Sequence, residues 1–154
     1  MELNYNALEK EVYESLGEKS IMILATSLGD RVTARSVSCI IFDKKIYFQT
    51  DRESLKYDQL SKNPNVALCV GNVQIEGTAE LKGHPLGKEN NWFRDMFKQN
   101  YSGSYETYSP MTREIIVEVK PKIFTLWKYE DGKPLRDYLN VTKTIAYREF
   151  YCTT

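Results

Sequence analysis

Two stretches of this sequence carry side chains able to hold an anion. Arg35 falls mid-strand by its two-residue spacing, on the face that also carries Thr33, Val37, Cys39 and Ile41. A guanidinium in such a row must meet an anion, form a salt bridge or reach solvent, because an unpaired buried charge is costly. The second stretch is Thr50-Asp51-Arg52-Glu53-Ser54-Leu55-Lys56. It reads as a strand end running into a helix, where free backbone N–H groups and the helix dipole favour an anion. Thr50 and Ser54 offer hydroxyls, and Lys56 offers a cation one turn in. Equally, Thr50-x-x-Glu53 matches a capping box and Lys56 could be a solvated helix residue. The two stretches lie on hairpin neighbours, and their convergence would make a phosphate cradle.

Other chemistries find little to work with. The single histidine, His84, precedes Pro85 in a turn, which starves His-centred triads and multi-His metal sites. There is no Walker loop and no C-x-x-C. Cys39, Cys69 and Cys152 are an odd, widely spaced set, so neither a disulfide framework nor a structural zinc site is expected. Cys39 and Cys69 sit in apolar strands, where a thiol is ordinarily inert packing. An enzyme with this inventory would leave the difficult chemistry to a bound organic cofactor. Eleven tyrosines include Tyr101, Tyr105 and Tyr108 in a Ser/Gly-rich segment, where they read as the cover of a subunit seam or as a substrate mouth.

The elements that must position these residues fit one domain, residues 1–154. Lys and Arg total 21 against 21 Asp and Glu, so the basic footprint of a nucleic-acid binder is missing. No apolar run approaches the roughly 20 residues that span a bilayer. The start, Met1-Glu2-Leu3-Asn4, lacks the basic and apolar regions of a leader, and the expectation is a cytoplasmic protein without membrane or nucleic-acid partners.

Along the chain, Tyr5, Leu8, Val12 and Leu16 mark a helix over about residues 4–17, stopped by Gly17. The period then changes to two. Strands are expected at Ile21–Ala25, Val32–Phe42 and Ile46–Thr50, then a helix between Asp51 and Lys62 that ends at Asn63-Pro64. Val66–Val70 is apolar on both faces, as a buried central strand would be. Val73–Leu81 alternates cleanly. A helical insertion is expected over about residues 87–101, with Trp92, Phe93, Met96 and Phe97 as its stripe. Strands Glu114–Lys120 and Ile123–Tyr129 flank Pro121, and Asp137–Tyr151 is ambiguous. Long antiparallel strands with a few interrupting helices point to a small barrel rather than a Rossmann fold.

On these residues the chain resembles the FMN-binding split-barrel family related to pyridoxamine 5′-phosphate oxidase. The similarity runs from about Ile21 to Trp127. It is carried by Tyr47-Phe48-Gln49-Thr50, then Ser54, Lys56, Leu60 and Asn63-Pro64-x-Val66-Ala67-Leu68, with Arg35-Ser36-Val37-Ser38 before them and Val73-x-Ile75-x-Gly77-x-Ala79-Glu80 after them. The resemblance implies a mainly β fold with peripheral helices, a six- to seven-stranded antiparallel Greek-key split barrel, and a homodimer with FMN at the subunit interface. It implies Arg35, Ser54 and Lys56 on the FMN phosphate. Ser36, Val37 and Ser38 would run beside the isoalloxazine, and Gln49 and Thr50 beside the ribityl chain and ring. Asn72 and Trp127 would contact the flavin, Trp127 from the other subunit.

Two departures qualify the activity. Leu55 replaces a second basic residue beside Lys56. Near the C-terminus, where the oxidase carries Arg-Leu-His-Asp-Arg, this chain has Pro134-Leu135-Arg136-Asp137-Tyr138. The expected function is therefore an FMN-dependent oxidoreductase acting on a small substrate other than pyridoxine phosphate, with NADH or NADPH as a candidate reductant. The alternatives are a non-catalytic FMN-binding redox sensor or flavin carrier, and a barrel holding another flat ligand such as a deazaflavin or haem.

Overall fold

The computed structural model describes residues 1–151, so Cys152 lies outside the described residues. The elements in chain order are β1 (Glu2–Leu3), α1 (Tyr5–Leu16), β2 (Lys19–Leu28), β3 (Arg31–Phe42), β4 (Lys45–Asp51), α2 (Leu55–Lys62), β5 (Asn65–Val70) and β6 (Val73–Leu81). After these come α3 (Asn91–Asn100), α4 (Ser102–Tyr108), β7 (Glu114–Glu130), β8 (Lys133–Asn140) and β9 (Ile145–Phe150). The sheet order is β1-β9-β8-β7-β4-β3-β2-β5-β6, and β6 also pairs with β7. Six antiparallel strands therefore close into a barrel, and β8, β9 and β1 continue from β7 as a wing.

The 17-residue β7 makes this closure possible. Along one edge, Glu114–Val119 pairs with β4 and Ile123–Glu130 pairs with β8; along the other, it pairs with β6. Pro121 sits where the first edge changes partner, a point where a missing N–H costs no ladder bond. That is why one continuous strand runs through the proline where two separate strands were expected. Across from it the register shifts between Glu76 and Gly77. A side chain at Gly77 would come within 2.7 Å of Val119 Cγ1 and 2.8 Å of the Lys120 carbonyl oxygen, so only glycine fits.

The barrel interior is filled by alternate residues of the strands, among them Met22, Leu24, Phe48, Leu68, Ile75, Val117 and Phe124, and Leu8, Val12 and Leu16 of α1 join the same cluster. Asn4 caps α1 by accepting from Ala7 N, and Gly17, at φ 69°, ends it. A second cluster lies outside the barrel, where Phe93 and Phe97 of α3 pack on Ile40, Tyr47 and Ile116. Tyr101 and Tyr105 cover that cluster, and Tyr101 donates to the Cys39 carbonyl at 2.9 Å. These two tyrosines thus serve this chain's own packing. The wing is tied by buried Asp137, which accepts from Arg148 at 2.7 Å and Lys128 at 3.0 Å.

The outer face of β2 and β5 is open in the single chain. Ile21, Ile23 and Cys69 are exposed there, so β5 is not buried on both faces and Cys69 is not core packing. No helix among the described residues is long and apolar enough to cross a membrane.

Candidate functional site

The hairpin of β3 and β4 is bonded only where Ile40–Phe42 meets Lys45–Tyr47. Beyond that, each strand keeps its other neighbour. Ser36 and Ser38 stay paired with Ile23 and Ile21 of β2, while Gln49 and Thr50 pair with Ile116 and Ile115 of β7. The two strands therefore part, and the backbone groups on their facing edges have no ladder partner. Such groups require another one, from water or a ligand.

A cavity of about 310 Å³ occupies this split, at the small end of the range for ligand pockets. Ser36, Val37 and Ser38 form one side, and Gln49, Thr50 and Lys56 the other. Phe97, Ser104 and Tyr108, from α3 and α4, close the outer wall, and Met111, Arg113 and Glu114 close the end. Six of the ten residues singled out from the sequence are thus brought together.

Lys56 stands in the first turn of α2. The helix cap is Ser54, whose hydroxyl accepts from Tyr57 N at 3.3 Å and donates to the Asp51 carbonyl at 2.7 Å. The Thr50-x-x-Glu53 capping box is therefore not formed; Thr50 instead lies 3.1 Å from the Ser54 hydroxyl, and Glu53 N donates to Asp51 Oδ1. Burial pushes the Lys56 pKa down, and the neighbouring Arg35 pushes it down further, against the opposing pull of Glu114 and Asp51.

Arg35 turns inward, away from the cavity lining. Its guanidinium donates to the Leu24 carbonyl, to Thr26 Oγ1 at 2.7 Å and to Thr33 Oγ1. Both threonines in turn donate to buried Gln59 of α2 at 2.6 Å. Neutral acceptors, rather than a carboxylate or solvent alone, satisfy the cation, and burial lowers its pKa. Among the described residues neither Arg35 nor Lys56 has a carboxylate within salt-bridge distance. Asp51 and Glu114 act on Lys56 only from further away, so Lys56 lines the cavity without a direct ion pair and Arg35 stands behind it.

A carboxylate that sequence reasoning missed stands beside them. Glu114 is 4% exposed and opposite Asp51 in the β4–β7 ladder. Its pKa is raised by burial and then by Asp51, against the opposing pull of Lys56, His84 and Arg113. Asp51 itself is held down by the Glu53 N–H and by Arg113, 2.6 Å away. Only the strand register brings Asp51 and Glu114 together, and the sequence carries no signal of it.

Asn72 and Trp127 lie outside this cavity. Asn72 Nδ2 donates to the Trp127 carbonyl at 2.9 Å, and Trp127 N returns a bond to the Asn72 carbonyl at 3.0 Å. The Trp127 ring faces the Arg136 guanidinium, 5.0 Å from its centroid, and Tyr151. His84 is a loop staple: Nδ1 accepts from Leu86 N, and Nε2 lies 2.8 Å from the Met111 carbonyl. A second depression of about 450 Å³, lined by Ala25, Ala67, Glu76 and Lys122 among others, contains none of the residues singled out from the sequence as site candidates.

Solved structures share this architecture. Campylobacter jejuni ChuZ aligns with a TM-score of 0.74 at 16% identity, over 94% of this chain and 63% of that one. PhzG from Burkholderia lata 383, solved with tetrahydrophenazine-1-carboxylic acid, aligns at 0.61 and 15%, over 96% and 92%. An FAD-binding protein from Mesorhizobium loti aligns at 0.57 and 15%, over 77% and 89%. No curated protein matches the sequence. The fold is the split barrel of pyridoxamine 5′-phosphate oxidase-like proteins. The chain belongs to the pyridoxamine 5′-phosphate oxidase family, whose model matches residues 8–128.

Proposed function

We propose that this protein binds FMN in the split between β3 and β4 and is an oxidoreductase acting on a small molecule, as a homodimer in the cytoplasm. The observation that carries the reading is the pair of neighbouring cations, Lys56 and Arg35, neither in a direct ion pair, beside the α2 N-terminus at one end of a cleft edged by free backbone groups. A phosphate monoester dianion supplies the missing charge, and a flat heterocycle supplies hydrogen-bonding partners for Ser36–Ser38 and Gln49. Lys56 would hold the phosphate, and the Thr50 and Ser54 hydroxyls would join it by turning their protons away from each other and from the Asp51 carbonyl. Arg35 would act from behind, its orientation kept by Thr26, Thr33 and Gln59.

FMN, when bound, supplies the hydride chemistry. This chain's residues anchor it, orient it and keep water from one face through Phe97 and Tyr108. Asn72 and Trp127 sit apart from the cleft, which fits a flavin completed by the second subunit. Sedimentation of the FMN-loaded protein tests this: a fully loaded monomer at micromolar concentration removes the dimer.

The substrate is not pyridoxine phosphate on this reading. In Pro134-Leu135-Arg136-Asp137-Tyr138 the Asp137 carboxylate is consumed by Lys128 and Arg148, and Arg136 lies between Trp127 and Tyr151. One guanidinium is left for a substrate phosphate. A non-catalytic sensor or carrier is the second reading, favoured by His84, whose two nitrogens are taken up by Leu86 N and the Met111 carbonyl in tying two loops together. Anaerobic mixing of the FMN-loaded protein with NADH or NADPH separates the two: rapid bleaching supports the enzyme, and persistent colour supports the carrier.

A further inference from the structure

Gln49 reaches the cleft from β4, and one of its neighbours decides which end of its carboxamide faces the ligand. Ser109 closes α4, its N–H donating to the Tyr105 carbonyl at 3.2 Å, and it is only 1% exposed. Its hydroxyl proton goes to Gln49 Oε1 at 2.8 Å. With Oε1 taking the Ser109 proton, the Gln49 Nε2 group, with two N–H donors, is left on the other side. Among the described residues Nε2 has no protein acceptor, and Gln49 lines the cavity.

We infer that Ser109 is a positioning residue: it locks the Gln49 carboxamide so that the cleft presents a hydrogen-bond donor, directed at a carbonyl or imine acceptor on the edge of the bound ring. The inference rests on the flavin reading. Its consequence is electronic. Reduction makes the ring edge richer in electrons, so a fixed donor there favours the reduced ring over the oxidised one. Without Ser109 the carboxamide can rotate and present Oε1, an acceptor, to the same edge. The donor preference is then lost although every cleft residue is still present.

The test is the midpoint potential of the FMN-loaded protein in four forms: wild type, Ser109→Ala, Gln49→Met and the double variant, with thermal melts to confirm folding. Losing one neutral hydrogen bond corresponds to roughly a threefold to tenfold fall in the affinity ratio for reduced over oxidised FMN. A tenfold fall is about 30 mV for a two-electron couple. The expected result is that Ser109→Ala lowers the potential in the wild-type background and adds nothing in the Gln49→Met background, because Ser109 acts only through Gln49. A Gln49→Glu protein, with a carboxylate at the same edge, is expected to fall further still. An unchanged potential in Ser109→Ala, or an equal shift in both backgrounds, overturns the positioning role. A wild-type protein that takes up no FMN overturns the flavin reading first, and this is seen before any variant is made.

Discussion

Lys56 is the residue at which ligand binding and stability pull in opposite directions. In the free protein its ammonium is half-buried, sits beside the Arg35 guanidinium and lacks a carboxylate at salt-bridge distance. Replacing it with methionine keeps the stem packed on α2 and removes the charge. Bound FMN would lose one charge-assisted hydrogen bond to its phosphate, about 1.5–3 kcal/mol. That is roughly a tenfold to 150-fold rise in Kd. Riboflavin, lacking the phosphate, is expected to bind wild type and variant within about twofold. The free protein should gain stability, by about 0.5–1 kcal/mol, the scale of relieving an unfavourable charge. The sign follows from the depressed pKa of Lys56: folding disfavours its protonated form, and at neutral pH that form is the one present. Fluorescence titrations with FMN and riboflavin, alongside urea unfolding of the free protein, measure all three quantities. Equal losses for FMN and riboflavin would refute the phosphate assignment. A destabilised free protein would show that Lys56 is a structural cation.

Glu114→Gln is expected to strengthen FMN binding by about 1 kcal/mol, near fivefold, by removing a carboxylate that faces the same phosphate. Because burial raises the Glu114 pKa, its contribution to stability is complete below the ordinary carboxylate range and lost as pH rises through the raised value. Melting curves should therefore show the glutamine variant gaining on wild type as pH rises across that interval. Gly77→Ala is expected to cost about 1–3 kcal/mol, measured by urea unfolding, since Val119 and the Lys120 carbonyl leave no room for a methyl group. With saturating FMN in air, pyridoxamine and pyridoxine phosphates should yield no meaningful pyridoxal phosphate. Turnover in the ordinary enzymatic range of about 1–10³ s⁻¹ would overturn the substrate argument.

The alternation of Val32–Phe42 and Val73–Leu81 was legible because each strand has one face turned to the barrel core, and alternation records that directly. Val66–Val70 misled, because its apolar outer face is open in the single chain. The cluster of Ser36–Ser38 with Gln49, Thr50 and Lys56 followed from resemblance and was brought together by the hairpin. What depended on partners was hidden. Arg35 sits on the expected strand, yet its direction is decided by Thr26 across the ladder and Gln59 on α2, both distant in sequence. β7 runs unbroken through Pro121 because β4 gives way to β8 at that residue, which no local pattern records. Helix α4 is written in Ser, Gly and Thr, poor helix formers, and is held by packing of Tyr101 and Tyr105 on the second cluster. Glu114 and Ser109 became site residues only through their pairing with Asp51 and Gln49.

The claim that this cleft is a flavin phosphate site is tested most directly on the protein as purified. Its absorption spectrum is recorded, the ligand is released by heat and identified by mass, and the stripped protein is titrated with FMN. The expected result is a yellow protein that releases FMN and rebinds it stoichiometrically, at two flavins per dimer. A colourless protein that takes up no FMN at micromolar concentration, or one that carries haem or a deazaflavin in its place, would contradict it.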